Sequence, residues 1–215
     1  MNKSRLVVYN TLIRTGLVPV FYIDNLAEAR QFMQMCADGG VRAFEFTNRG
    51  EAALSVFMGL RNTFPNMLLG IGSIVDAPTA TLYMAHGADF IVGPAFNADV
   101  ATLCNQRKRA YIPGCATITE IQTAESYGVE MIKLFPANIY GAEFVKALQG
   151  PMPWTRIMPT GGVEPTEESI KTWFSAGVSC VGIGSNLRTV PNISATCGQV
   201  LSWIAQYRKD DAHEL

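Results

Sequence analysis

Two charged side chains stand in apolar runs where a strand pattern would not place charge. Lys133 lies in Met131-Ile132-Lys133-Leu134-Phe135-Pro136-Ala137, and Glu45 lies between Phe44 and Phe46. Met131, Ile132, Leu134 and Phe135 read as a buried strand that Pro136 ends. Lysine is among the residues least often buried, so its place in such a strand points to a use. An amine in apolar surroundings loses hydration when charged and is harder to protonate. At a reference pKa of about 10.4, only about one lysine in a few thousand is neutral at pH 7. A neutral amine is a nucleophile able to form a Schiff base with a ketone or aldehyde. A lysine snorkelling from a strand end to solvent would leave the same pattern.

The elements that must hold these two groups follow from a repeat. Asp38–Glu45, His86–Gly93, Tyr127–Lys133 and Ala176–Gly182 share one pattern: a glycine suited to a left-handed helix cap, a small apolar residue, a polar one, then a buried strand. Further strands are expected at Val18–Ile23, Met67–Ile71, Ala110–Ile112 and Arg156–Met158. Helical patterns fill the gaps at Leu26–Ala37, Glu51–Thr63, Pro78–His86, Asp99–Lys108, Glu120–Tyr127, Ala142–Gln149 and Glu167–Ala176. Asp76, before Ala77-Pro78, and Thr119, before Glu120, read as helix starts. A leading helix over Lys3–Thr15 and a closing one over Ser194–Tyr207 complete the chain. Eight similar βα units with no long insertion predict a single-domain (β/α)8 TIM barrel over residues 1–215, with an extra N-terminal helix. The alternative is an open doubly wound sheet.

In such a barrel the chemistry sits where strands end and βα loops begin. Counting from each capping glycine, Glu45, Lys133 and Gly182 fall at equivalent positions and should project at one rim. A carboxylate and an amine together there form an acid–base pair; a structural ion pair is the plain alternative. Arg49, at the start of the next loop, could hold a carboxylate or phosphate two-pronged, or be an ordinary surface arginine. The third strand ends Gly70-Ile71-Gly72-Ser73, where glycines would let backbone approach a ligand and a hydroxyl could donate to a carboxylate. The seventh strand runs into Pro159-Thr160-Gly161-Gly162-Val163 and the eighth into Gly182-Ile183-Gly184-Ser185-Asn186. Glycine-rich turns in these two loops expose backbone N–H groups that can cradle phosphate, or merely close the barrel.

Composition narrows the field. The chain is 48% hydrophobic and 16% charged with net charge −1, a globular balance that offers nothing to nucleic acid or a membrane surface. No apolar run nears the ~18 residues that span a bilayer, and Met1–Gly16 lacks the apolar core of a signal peptide. The cysteines, Cys36, Cys104, Cys115, Cys180 and Cys197, are scattered without metal-ligand spacing, as expected of reduced thiols in a cytoplasmic protein. Two histidines, His86 and His213, are too few for a multi-histidine zinc site. The ending Ala-His-Glu-Leu carries no retention meaning without a signal peptide.

Five motifs in order carry a family likeness: Phe44-Glu45-Phe46-Thr47-Asn48-Arg49, Ile112-Pro113-Gly114-Cys115-Ala116-Thr117, Lys133-Leu134-Phe135-Pro136-Ala137, Pro159-Thr160-Gly161-Gly162 and Gly182-Ile183-Gly184-Ser185. From about Gly16 to Asn186 the chain resembles 2-keto-3-deoxy-6-phosphogluconate (KDPG) aldolases and their close kin, the 4-hydroxy-2-oxoglutarate (KHG) aldolases. It departs from the usual family pattern at Asn48, Gly50, Ser73 and Gly93. The resemblance implies a lyase of class I that works through a covalent Schiff base on Lys133, with no metal or other cofactor. It implies Glu45 as the proton shuttle, and Arg49 and Ser73, with Thr47 in support, as the carboxylate site. Thr160, Gly161, Gly162, Gly184 and Ser185 would bind the distal phosphate, and Pro94 and Phe135 would line the pocket. The implied substrate is a phosphorylated keto-deoxy sugar acid cleaved to pyruvate and glyceraldehyde 3-phosphate, with KHG cleavage to pyruvate and glyoxylate as a second activity. A homotrimer is implied as well. A phosphosugar isomerase using Glu45 without a covalent lysine, or a non-catalytic phosphosugar- or keto-acid-binding protein, would also fit the residues.

Overall fold

The computed structural model describes residues 3–208; His213 and the Ala-His-Glu-Leu ending lie outside the described residues. Helix α1 (Arg5–Thr15) leads into β1 (Leu17–Phe21) and α2 (Leu26–Asp38). Then come β2 (Ala43–Thr47), α3 (Ala53–Thr63), β3 (Leu68–Gly72), α4 (Ala77–Ala85), β4 (Phe90–Val92), α5 (Ala98–Gln106) and β5 (Ala110–Ile112). The second half holds β6 (Gly114–Cys115), α6 (Ile118–Ser126), β7 (Ile132–Leu134), α7 (Ala137–Leu148), β8 (Ile157–Pro159) and α8 (Glu167–Ser175). It closes with β9 (Val181–Ile183), α9 (Ser185–Arg188) and α10 (Ile193–Tyr207).

All strand pairs are parallel. One sheet has the order β5-β4-β3-β2-β1-β9 and the other β6-β7-β8. A parallel bridge between Thr160 and Gly182 links the end of β8 to β9. The fold is therefore α/β with a curled parallel sheet. The strand beyond the expected eight arises at Pro113, which separates β5 from β6. Proline has no N–H to give a ladder, although its carbonyl still accepts from the Lys133 N–H at 2.9 Å.

The curl sorts the core into two clusters. On its inner face Val18, Ala43, Leu68, Phe90, Met131 and Met158 pack with Val8, Tyr9, Leu12 and Ile13 of α1. The outer face packs against the surrounding helices. Helix α1 can seat there because Ser4 caps its start, accepting from the Val7 N–H at 3.3 Å, and Gly16 ends it at φ 74°. Burying each of its four apolar side chains is worth roughly 1.5–3 kcal/mol. Strand alternation then decides the chemistry, because side chains two apart share a face. Ala43 and Met131 face inward, so Glu45 and Lys133 do too.

The four capping glycines of the repeat, Gly40, Gly87, Gly128 and Gly177, all have φ between 76° and 97°, as the pattern predicts. Three local expectations change. Helix α6 starts from Thr117 rather than Thr119: the Thr117 hydroxyl accepts from the Glu120 N–H while Glu120 accepts from the N–H groups of Ala116 and Thr117. This reciprocal box satisfies two kinds of orphan donor at once, which Thr119 cannot do from inside the turn. Helix α7 begins at Ala137 rather than Ala142, with a non-helical break at Gly141 (φ 71°, ψ 172°). Ser185 and Asn186, expected in a glycine-rich turn, begin the short helix α9. Among the described residues no helix is long and apolar enough to cross a membrane.

Candidate active site

Parallel pairing sets β2, β3, β7, β8 and β9 with their C-terminal ends at one rim. There the Lys133 Nζ donates to Glu45 Oε1 at 3.1 Å. Lys133 is 5% exposed and Glu45 is fully buried. The ammonium also lies 5.3 Å from the centroid of the Phe135 ring, close enough for cation–π attraction. Glu45 Oε2 has no hydrogen-bond partner among the described residues. A buried ion pair is poor evidence for stability, because desolvation offsets the attraction. An amine beside a carboxylate with a spare oxygen is instead suited to moving protons.

Gly72 makes this placement possible. A Cβ there would lie 2.0 Å from Glu45 Oε1, and one at Gly70 would meet the Phe90 ring at 2.3 Å. The two glycines thus make room for neighbouring side chains, a job the sequence reading had given to an approaching ligand.

Arg49 and Ser73 also meet: the arginine Nε donates to Ser73 Oγ at 3.2 Å. That contact uses one of the guanidinium's five N–H groups and leaves a fork for a carboxylate, while the serine can still donate its own proton. Ser73 is held at φ 62°, a left-handed conformation uncommon for serine and frequent at functional sites. Thr47 is buried and donates to the Phe21 carbonyl at 3.3 Å, fixing β2 against β1 below the arginine. Asn48 is anchored by the Tyr83 hydroxyl, which donates to Asn48 Oδ1 at 3.0 Å. Burial first, and the nearby Tyr22 second, hold the Tyr83 phenol above its ordinary pKa, so it stays a donor.

The two glycine loops lie together. Gly161 and Gly162 have φ of 90° and 82°, and their loop is pinned to α7 by the Ala137 and Asn138 N–H groups donating to the Thr160 and Gly161 carbonyls. The Asn186 amide donates across to the Val163 carbonyl at 3.5 Å, tying this loop to the one bearing Gly184 and Ser185. Thr160 is buried, and its hydroxyl has no partner among the described residues. Gly182 admits it, since a Cβ there would lie 2.3 Å from Thr160 Oγ1. Phe135 stands between lysine and loop, 3.7 Å from where a Gly161 Cβ would be. Pro94 is exposed, with its carbonyl against Gly114. Gly114 in turn pairs with Lys133. The Arg49–Ser73 pair, the Glu45–Lys133 pair, Phe135 and the glycine loops, all singled out from sequence, thus lie at the C-terminal ends of parallel strands. Sequence reasoning missed the anchors, Tyr83 and Asn138. Among the described residues no group of three or more His, Cys, Asp or Glu is placed to hold a metal ion.

Comparison with known proteins identifies the family. A family model described as KDPG and KHG aldolase matches residues 8–199. A 2-dehydro-3-deoxy-phosphogluconate aldolase of Haemophilus influenzae is 34% identical over 164 residues, 76% of this chain and 77% of that protein. One of Treponema pallidum is 31% identical over 159 residues, covering 74% and 76%. Among solved structures, a KDPG aldolase of Legionella pneumophila, with pyruvate captured as a covalent carbinolamine intermediate, shares 25% identity at a TM-score of 0.79 and covers 94% of this chain and 98% of its own. Since the family match spans both the Glu45 and the Lys133 segments, the chain belongs to the KDPG and KHG aldolase family.

Proposed function

We propose that the protein is a class I aldolase that cleaves 2-keto-3-deoxy-6-phosphogluconate to pyruvate and glyceraldehyde 3-phosphate, with 4-hydroxy-2-oxoglutarate as a second substrate. The observation that carries this reading is the buried Lys133–Glu45 contact of 3.1 Å with one carboxylate oxygen unpartnered. The free amine attacks the C2 ketone, and loss of water from the carbinolamine leaves an iminium that draws electrons. Glu45 takes the C4 hydroxyl proton as the C3–C4 bond breaks, releasing the aldehyde and an enamine. Protonation at C3 and hydrolysis then free pyruvate and restore the amine. Arg49 and Ser73, set by Thr47, hold the carboxylate. Thr160, Gly161, Gly162, Gly184 and Ser185 hold the phosphate through backbone N–H groups and hydroxyls, and Pro94 and Phe135 wall the space between. No metal or other cofactor takes part.

The finer architecture belongs to the same reading. The two sheets act as one closed (β/α)8 barrel, supported by the Thr160–Gly182 bridge and by the single residue separating β5 from β6. The chain works as one cytoplasmic aldolase domain that assembles as a homotrimer. Exposed apolar side chains such as Val75, Leu82 and Ile118 are ones that an assembly could cover, and sedimentation at several concentrations tests that. The activity itself is tested by borohydride trapping with pyruvate. A pyruvate-sized adduct on the Lys133 peptide is expected; folded protein that yields none at several pH values would overturn the assignment.

A further inference from the structure

Tyr22 belongs to none of the roles above, yet it stands at the same rim. It follows β1 directly, and β1 lies between β2, which leads to Arg49, and β9, which leads to Gly184. Three contacts fix it. Arg188 Nη1 donates to its carbonyl at 3.2 Å, and its ring tilts against Phe46 at 5.7 Å between centroids. Its hydroxyl sits over Gly50, where a Cβ would lie 2.3 Å from the phenol oxygen and 3.0 Å from Cζ. The phenol thus fills the volume that a side chain at position 50 would take, next to the carboxylate clamp. Among the described residues nothing hydrogen-bonds to this hydroxyl. A rigid aromatic ring therefore holds a hydroxyl that no group of the described residues uses as donor or acceptor, over Gly50, the residue that follows Arg49.

We propose that Tyr22 is a specificity-determining residue of the aldolase site, donating its phenol proton to the bound keto acid on the Arg49 side. The proposal rests on the placement of the carboxylate at Arg49 and Ser73. The exchange of bulk between positions 22 and 50 makes it testable in both directions. Tyr22→Phe keeps the ring packing and removes only a hydroxyl that no protein group uses. The melting temperature should stay unchanged while KM for pyruvate, measured in the synthetic direction, rises roughly 10- to 100-fold, the loss of one hydrogen bond to a charged carboxylate, with kcat nearly constant. A second variant supplies a hydroxyl from the other loop: Tyr22→Leu with Gly50→Ser should recover much of the lost affinity, whereas Tyr22→Leu alone should not. Unchanged KM in Tyr22→Phe, with wild-type protein forming its Lys133 adduct normally, would overturn the proposal and leave the aldolase reading standing. If the wild-type protein forms no adduct, both fall together.

Discussion

Replacing Gly72 by alanine is a severe test of the site, because it adds one methyl group and replaces none of the side chains to which a role is assigned. The backbone permits it: Gly72 is absent from the positive-φ glycines, so alanine meets no conformational strain there. The new Cβ would lie 2.0 Å from Glu45 Oε1, 2.8 Å from Cδ and 3.0 Å from Cγ. Ordinary contact begins near 3.4 Å, so the carboxylate oxygen must retreat by about 1.4 Å from where it meets Lys133. Overpacking of this kind costs roughly 1–3 kcal/mol, and losing a glycine from the unfolded chain returns about 0.4–1 kcal/mol. The net loss of stability should lie between about zero and 2.5 kcal/mol, so the variant folds. Displacing a reacting group by about 1 Å can slow a reaction by about 100-fold. The assay is KDPG cleavage with pyruvate read by a coupled dehydrogenase, run beside urea unfolding. Expected is a kcat drop of roughly 100-fold in a folded protein. Activity within twofold of wild type would refute the view that Glu45 must sit where Gly72 lets it.

Three other outcomes follow from the geometry. Glu45→Gln keeps the shape but removes the proton acceptor, so kcat should fall by roughly 10²- to 10⁴-fold while a slow pyruvate adduct on Lys133 remains detectable by mass spectrometry; an adduct rate and kcat both unchanged would remove Glu45 from the mechanism. Arg49→Ala should raise KM for pyruvate by roughly 10- to 100-fold, the range for a hydrogen bond to a charged group, with Arg49→Lys a poor substitute because it lacks the fork; steady-state kinetics decides. Burial pushes the thiols of Cys104, Cys115 and Cys180 up to about 12 from an ordinary 9.0. The folded state keeps these protons while the unfolded chain loses them, so stability should be full below about pH 9 and decline from there toward 12; urea midpoints at stepped pH test the sign, and iodoacetamide at pH 8 should label these thiols only after unfolding.

The parts of the fold readable in the chain were those governed by short-range rules. The glycine caps and the alternation around Glu45 and Lys133 put two charges on the inner face of equivalent units in different sheets, and the curl brings them to 3.1 Å. What sequence could not show depends on contacts far apart in the chain. Gly72 reads as a ligand-facing glycine until the carboxylate of Glu45, from the next strand, is seen occupying its missing side chain. Tyr22 reads as one more aromatic after a strand until Gly50 is found beneath its hydroxyl. Thr119 reads as a cap because it directly precedes Glu120, and only the reciprocal hydrogen bonds move the helix start back to Thr117. The break at Gly141 rests on a positive φ that glycine allows without strain.

Helix α1 bears on traffic through the enzyme. With Val8, Tyr9, Leu12 and Ile13 seated against the inner side chains of the strands, the far end of the curl is stoppered, so in the proposed closed barrel substrate and products would pass through the opposite rim. Under the proposed mechanism the three-carbon fragment would stay bonded to Lys133 while the aldehyde is released. Departure is then sequential by construction: the aldehyde leaves first, water enters where it stood, and pyruvate follows. In the synthetic direction the proposed mechanism would make pyruvate the first arrival, since the enamine must form before the aldehyde can react.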